Sequence, residues 1–385
     1  MIKKNILIFS DYYVPGFKAG GPIRSIQSIC EALGDDFNIY LVTRIHDLGS
    51  NEDYINIEQG RWTKVSKINV FYTKEKLLIP KLIKKIITEI QPIAIHLNSL
   101  LSIRFSLVPL LCSRIFFGNQ IKVLLSPRGE LSEGALSLNK YKKGIYLVAL
   151  KLFHVTKFVE WVASSQNELN DINNKLGGKL DKIHLIDNLP NIFQWQTKLE
   201  RNKQKVEHSV DVVFLSRIAR MKNLHFALCF LKDIDFPVNF HIYGPKEDEG
   251  YYIECKKIIE KLPPFVSVKF MGSLQAEYVY DVIKEYDLFL LPTLGENFGQ
   301  AIWEALASSI PVLISDQTPW ENLSIKNIGW DIPLDSPEEF LKCIELIYNM
   351  NEDEHKIIRN KSREFALNYV KNSNAINTLS SLYNT

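Results

Sequence analysis

Four side chains in the second half of the chain have types and spacings suited to one ligand. Glu296 and Glu304 are separated by seven residues in Gly295-Glu-Asn-Phe-Gly-Gln-Ala-Ile-Trp-Glu-Ala. Arg217 and Lys222 stand five apart in Ser216-Arg-Ile-Ala-Arg-Met-Lys-Asn-Leu, with Arg220 between them. Cations converging on one loop suit a pyrophosphate, whose charge must be neutralised as it departs. A carboxylate beside a phosphate site is suited instead to the paired hydroxyls of a diol, because its two oxygens accept both protons. Ligands carrying both groups are sugar nucleotides. The plainer alternative is that the acids favour a helix start and the cations are solvated loop charge.

These side chains need a frame that brings two loops together. Leu288–Leu291 is a short apolar run stopped by Pro292, as in a buried parallel strand. A loop from Thr293 to Gly299 follows, then a helix from Gln300 to Ser308 and a second strand from Pro311 to Ile314. Val210–Leu215 reads as another strand, running into the loop with Arg217 and Lys222, before a helix with Leu224, Leu228 and Leu231. Loops at the carboxyl ends of parallel strands are where open α/β sheets hold ligands, and the following helix start attracts phosphate.

The Glu296–Glu304 stretch with its flanking strands resembles the signature of glycosyltransferase family 4, and the Arg217–Lys222 spacing resembles the same family's cation loop. The family comprises retaining, nucleotide-sugar-dependent enzymes of GT-B fold. The resemblance implies two Rossmann-like, doubly wound parallel-sheet domains facing across a cleft. It implies that Arg217 and Lys222 stabilise the departing diphosphate and that Glu304 accepts ribose hydroxyls. Glu296, with the backbone of Asn297, Phe298 and Gly299, would hold the donor sugar. Gly244 closes the strand Phe240–Tyr243, and Met271 begins a segment similar to the one that lines the nucleotide base in the family; both are assigned to the donor side.

The first half also reads as a doubly wound sheet, with strands at Asn5–Ser10, Ile39–Thr43, Asn69–Thr73, Ile93–Leu97 and Lys122–Ser126 and a helix from Ile23 to Leu33. Gly20 and Gly21 precede Pro22, where small residues allow a ligand close to a helix start. Family members carry a similar glycine pair facing the donor phosphates and the acceptor. Ser126-Pro-Arg-Gly places Arg128 at a strand end where many members have a histidine. Arg128 cannot act as a base but suits a phosphate or an acidic sugar. It is assigned to the acceptor side with Asn98, while His96 reads as a packing residue.

The chain has 385 residues, 46% of them hydrophobic and 23% charged, with a net charge of +2. That length suggests two domains. The expected divisions are 1–195, a charged linker at 196–209, 210–365, and a terminal segment at 366–385, within a helix from about 357 to 383 that crosses back to the first domain. The five scattered cysteines lack metal-ligand spacing and fit a reducing cytoplasm. No signal peptide or spanning segment is expected. Asp233-Ile-Asp235 mimics a metal-binding pair but falls in a helix-to-strand connection, so no metal and no other cofactor is expected. Basic amphipathic stretches at Lys81–Ile90 and Lys140–Phe158 suit either ordinary surface helices or an anionic membrane face. Resemblance to enzymes of bacterial surface-polysaccharide and O-antigen synthesis implies a saccharide acceptor, polyprenyl-linked, at the inner face of the membrane, and no nucleic acid. The rival readings are a binding protein without turnover and a GT-B-type epimerase.

Overall fold

The computed structural model describes residues 3–132, 135–136, 140–152, 155–177, 180, 182–190, 201 and 209–384. The chain forms two compact units, Met1–Leu189 with Ser373–Thr385, and Pro190–Asn372. Apart from Arg201 and Ser209, the expected linker lies outside the described residues.

The first unit is an eight-stranded sheet. Its strands are β1 (Asn5–Ser10), β2 (Asn38–Arg44), β3 (Trp62–Val65), β4 (Ile68–Thr73), β5 (Ala94–Asn98), β6 (Lys122–Ser126), β7 (Glu160–Ala163) and β8 (Ile183–Leu185). Their order is β3-β4-β2-β1-β5-β6-β7-β8. All pairs are parallel except β3 with β4. The continuous apolar run of β1 reflects burial on both faces. Leu7 and Phe9 enter one core with Ile83, Ile86 and Ile87 of α2 (Pro80–Ile90). Ile6 and Ile8 enter the other with Ile26, Ile29 and Leu33 of α1 (Gly21–Leu33). Helices α3 (Val108–Phe117), α4 (Lys140–Leu152) and α5 (Gln166–Leu176) complete the α2 face. The basic stretch expected as one helix to Phe158 stops at Leu152, and a 3-10 turn occupies Val155–Phe158.

The second unit has six parallel strands, β9 (Val210–Leu215), β10 (Val238–Tyr243), β11 (Val266–Gly272), β12 (Leu288–Leu291), β13 (Val312–Ser315) and β14 (Gly329–Ile332). The order β11-β10-β9-β12-β13-β14 is that of a doubly wound sheet. Its helices are α6 (Leu224–Phe230), α7 (Glu249–Ile259), α8 (Val279–Ile283), α9 (Gln300–Ala307), α10 (Leu323–Lys326), α11 (Pro337–Asn349) and α12 (Glu352–Asn372). Helix α9 is buried nearly all round, with Ile302, Trp303, Ala305, Leu306 and Ala307 in the core.

The terminal segment is two helices rather than one. α12 ends at Asn372, and α13 (Ala375–Asn384) belongs to the first unit, where Leu379, Leu382 and Tyr383 share a core with Ile26 and Ile29 of α1. The division therefore falls after Asn372 and not after residue 365. Arg201, expected in a solvated linker, is bound into the second unit. Its guanidinium pairs with Asp287 at 2.8 Å, and both side chains are buried.

Candidate active site

In the second sheet the strand order reverses at β9, with β10 and β11 on one side and β12 to β14 on the other. The carboxyl ends of β9 and β12 flank this reversal, the place where open sheets hold ligands. Backbone geometry sews together the loops that leave them. The Leu294 N–H and the Thr293 hydroxyl both donate to the Met221 carbonyl, at 2.8 and 3.1 Å. Ser315 Oγ donates to the Thr293 carbonyl at 2.5 Å, and the Glu296 N–H donates to the Gln317 carbonyl at 3.1 Å. This seam brings residues 74 apart in sequence into contact: Lys222 Nζ donates to Glu296 Oε1 at 2.5 Å, with side chains only 13% and 12% exposed. A protonated lysine has three N–H donors, so two remain for another acceptor.

The other second-unit residues take up distinct positions. Arg217 leaves the same strand end but pairs with Glu247 in the loop after β10, not with the Lys222–Glu296 pair. Arg220 is bound to α7, by two bonds to Glu254 and by stacking on the Tyr251 ring. Gly244, at φ +148°, passes so close to β9 that a Cβ would lie 1.8 Å from the Ser216 carbonyl oxygen. Its glycine identity is thus already required by packing at the end of β9. Met271 is the extra residue where the β10–β11 register shifts, and its side chain is 46% exposed. A bulge re-aims a side chain at a strand end.

Gly299 starts α9 at φ +78°, where a Cβ would press on Ile302 and the Trp320 ring nitrogen. Trp320 Nε1 donates to the Phe298 carbonyl, Phe298 is buried, and Asn297 is half-buried. No side chain caps α9, and no acid sits in its first turn. Glu304 has small neighbours in Ala301, Ala305 and Ser308 and is itself buried, at 1% exposure. One residue that sequence reasoning passed over is Gln300, one turn before Glu304. It is buried, and both heteroatoms of its amide lack a hydrogen-bond partner. Buried polar groups are ordinarily bonded, so this amide can accept and donate to a ligand. A glutamine opening a helix whose only other polar residue is Glu304 was the available signal.

In the first unit Gly20 stands at φ +67°, which a residue with a side chain rarely adopts, and a Cβ at Gly20 or Gly21 would meet nothing within 4 Å. Arg128, itself at φ +57°, is held by neutral oxygens. Its Nε and NH2 donate to Asn98 Oδ1 at 3.2 and 2.8 Å, and its NH1 to Asn188 Oδ1 at 2.8 Å. Burial lowers its pKa, and the Glu168 carboxylate opposes that shift. Glu168, not foreseen from the sequence, accepts from the Ser164 N–H and hydroxyl and the Gly129 N–H, at 2.7, 2.6 and 2.5 Å. His96 is a core residue, bonded to Tyr383 and Ser126 at 2.7 and 2.8 Å. Burial, and secondarily Arg128, lower its pKa to about 3.

Asp233 and Asp235 are exposed at the amino end of β10, away from these loops. An apolar groove of about 420 Å³ lined by Phe226, Phe230, Pro337 and Leu341 lies beside Asp233 at that same end and holds none of the chemistry described above. Among the described residues no group of three or more His, Cys, Asp or Glu is placed to hold a metal ion, and no helix is long and apolar enough to cross a membrane.

Residues 196–364 match the family of glycosyl transferases group 1. The matched span contains Arg217, Lys222, Glu296 and Glu304. Over 147 residues the chain is 24% identical to the GtfA subunit of UDP-N-acetylglucosamine–peptide N-acetylglucosaminyltransferase from Streptococcus agalactiae. That match spans 37% of this chain and 28% of the relative's length. Among solved structures, sucrose-phosphate synthase from Thermosynechococcus elongatus superposes with a TM-score of 0.70 at 15% identity, covering 99% of this chain and 98% of its own. Anabaena HepE, solved in complex with UDP and glucose, gives 0.68 at 16% identity, covering 98% and 100%. The fold is GT-B, with two α/β domains built on parallel sheets.

Proposed function

We propose that the protein is a retaining, metal-independent glycosyltransferase of family 4, moving a sugar from a UDP- or GDP-sugar to a saccharide acceptor. The observation that carries this reading is the Lys222–Glu296 contact at the strand-order reversal. It puts a cation for phosphate and a carboxylate for hydroxyls side by side, at the foot of a helix with no side-chain cap. The family match over residues 196–364 and the UDP-bound relative of the same fold support it.

In this reading Lys222 turns its remaining donors to the diphosphate, and Arg217 exchanges Glu247 for a second phosphate contact. Glu296 accepts hydroxyls of the donor sugar, and the Asn297–Gly299 backbone lines it. Gln300 supplies a further polar contact, Glu304 takes the ribose hydroxyls, and Gly244 and Met271 border the nucleotide. The bond from the anomeric carbon to the diphosphate oxygen breaks, its electron pair leaving with the phosphate. The acceptor oxygen bonds to the same face of that carbon, and its proton passes to the departing phosphate oxygen. Arg217 and Lys222 neutralise the growing charge, which is where most of the rate arises. Gly20 and Gly21 are assigned to the donor phosphates, past which the acceptor enters, and Asn98 and Arg128 belong to the acceptor side. The acceptor is a lipid-linked saccharide of bacterial surface-polysaccharide synthesis, met at the cytoplasmic face of a membrane.

A thermal-shift screen across UDP- and GDP-sugars tests donor binding, because stabilisation scales with affinity. Stabilisation by a sugar nucleotide, followed by release of its diphosphate when acceptor is added, is expected, with full rate in a chelator. Binding without release identifies a sugar-nucleotide-binding protein. An altered sugar nucleotide formed without acceptor identifies an epimerase. Activity lost to a chelator and restored by manganese overturns the metal-independent chemistry.

A further inference from the structure

We infer that the outer face of α3 and α4 in the first unit docks on an anionic lipid surface. This goes beyond the transfer reaction and would stand if that chemistry failed, because it rests on exposure and charge alone. Helix α4 exposes Tyr141, Ile145, Val148 and Leu152, which are 89%, 73%, 56% and 73% accessible. Their spacings of four, three and four residues set them in one line along the helix. Leu147 and Leu150 meanwhile pack inward. A helix on a soluble surface carries polar residues along its outer line; α4 is apolar along both sides.

Helix α3 adds a second apolar strip, with Leu111 38%, Ile115 73% and Phe116 41% accessible. Both helices cover the same face of the sheet, since Leu110, Cys112, Leu147 and Leu150 share one core. Arg114 of α3 also donates to the Phe158 carbonyl, in the turn that follows α4. Water-facing apolar side chains on two elements of one face mark a surface with a partner.

Charge names the partner. Helices α3 and α4 contain Arg114, Lys140, Lys142, Lys143 and Lys151 and no Asp or Glu, while Arg104 precedes them and Lys157 follows. Lys142 and Lys151 are exposed, whereas Lys143 donates to the Ala135 carbonyl and Arg114 to Gly118, Asn119 and Phe158. A second copy of this chain would set like charges against each other. Anionic headgroups take the lysines while the apolar line enters the acyl boundary, as in helices that lie in a membrane interface. Neither helix is long and apolar enough to cross a bilayer. The other basic stretch, α2, behaves differently: Ile83, Ile86, Ile87 and Ile90 are all buried, and of its lysines Lys84 lies over the Phe116 ring of α3, 4.6 Å from its centroid.

Vesicle sedimentation decides the matter. The wild-type protein is expected to pellet with vesicles containing phosphatidylglycerol, to bind phosphatidylcholine vesicles weakly, and to be released by high salt. The double variant Ile145→Ser, Leu152→Ser should lose about tenfold or more of this binding with an unchanged melting temperature, because both side chains are exposed. Lys142→Gln with Lys151→Gln should lose the preference for anionic vesicles. The inference is overturned if wild type stays in solution with both vesicle types, or if the Ile145→Ser, Leu152→Ser variant binds as wild type. It is likewise overturned if wild type self-associates through this face without binding vesicles and that variant is monomeric.

Discussion

In the second unit Lys222 meets a carboxylate, Glu296, at 2.5 Å, while in the first Arg128 meets two amide oxygens, of Asn98 and Asn188. Glu168 acts on Arg128 only through space. The two arrangements prepare a cation differently. A lysine paired with an acid is neutral as a unit, and a ligand with phosphate and hydroxyls can part the pair and satisfy both members. A guanidinium held by neutral oxygens keeps its full charge while fixed in place, and a planar fork suits a carboxylate or phosphate. In the proposed reading the pair in the second unit is a switchable contact and Arg128 a rigid one.

The sharpest way to break this comparison is to remove a member of the switchable pair. Lys222→Ala should lower transfer by about a hundredfold to a thousandfold, with Glu304→Ala similarly inactive. Both should remain folded by circular dichroism, and diphosphate release is the measurement. Near-wild-type rates in both variants would overturn the assignment of Lys222 and Glu304 to the transfer site. Gly244→Ala should cost about 3 kcal/mol or more, read from chemical denaturation, because its Cβ would fall 1.8 Å from the Ser216 oxygen at an unfavourable φ. Arg128→Met should cost about 2 kcal/mol, because it leaves the inward amides of Asn98 and Asn188 unbonded. If Arg128 also meets an anionic acceptor, KM for that acceptor should rise beyond what the stability loss explains.

Smaller effects sharpen the contrast. His96 is held neutral, with a folded pKa of about 3 against an ordinary 6.5. The unfolded chain therefore takes up its proton first as pH falls. This contribution is fully present above about 6.5 and is lost progressively toward pH 3. His96→Gln should flatten that part of the melting-temperature profile. Gly21→Ala should change stability by only about 0.5 to 1 kcal/mol, in the favourable direction, because nothing lies within 4 Å of the added methyl.

Strand ends made the approach of the Lys222 and Glu296 loops legible. Leu288–Leu291 and Val210–Leu215 are continuous apolar runs, so the loops after them could be placed at one sheet edge before any coordinates. What brings those loops into contact was not legible, because the seam runs through the Met221 carbonyl and the Thr293 hydroxyl, and backbone acceptors leave no trace in residue types. The antiparallel strand β3 was missed because Trp62-Thr-Lys-Val is short and mixed in polarity, as an edge strand is. The bulge at Met271 and the near contact at Gly244 depend on register between strands, which periodicity does not report. Arg201 looked like linker because its partner, Asp287, lies 86 residues away.

The return of α13 to the first unit has a consequence for biosynthesis. Tyr383 closes a hydrogen bond on His96 and sets its ring edge-on to Phe37, so residues near the end of the chain finish a core begun near its start. Emerging from the ribosome in order, the six described strands of the second unit are all synthesised before α13, while the first unit still waits for this last wedge. The half synthesised first is thus the half completed last, and a chain stalled before Tyr383 would leave an apolar seam open to chaperones.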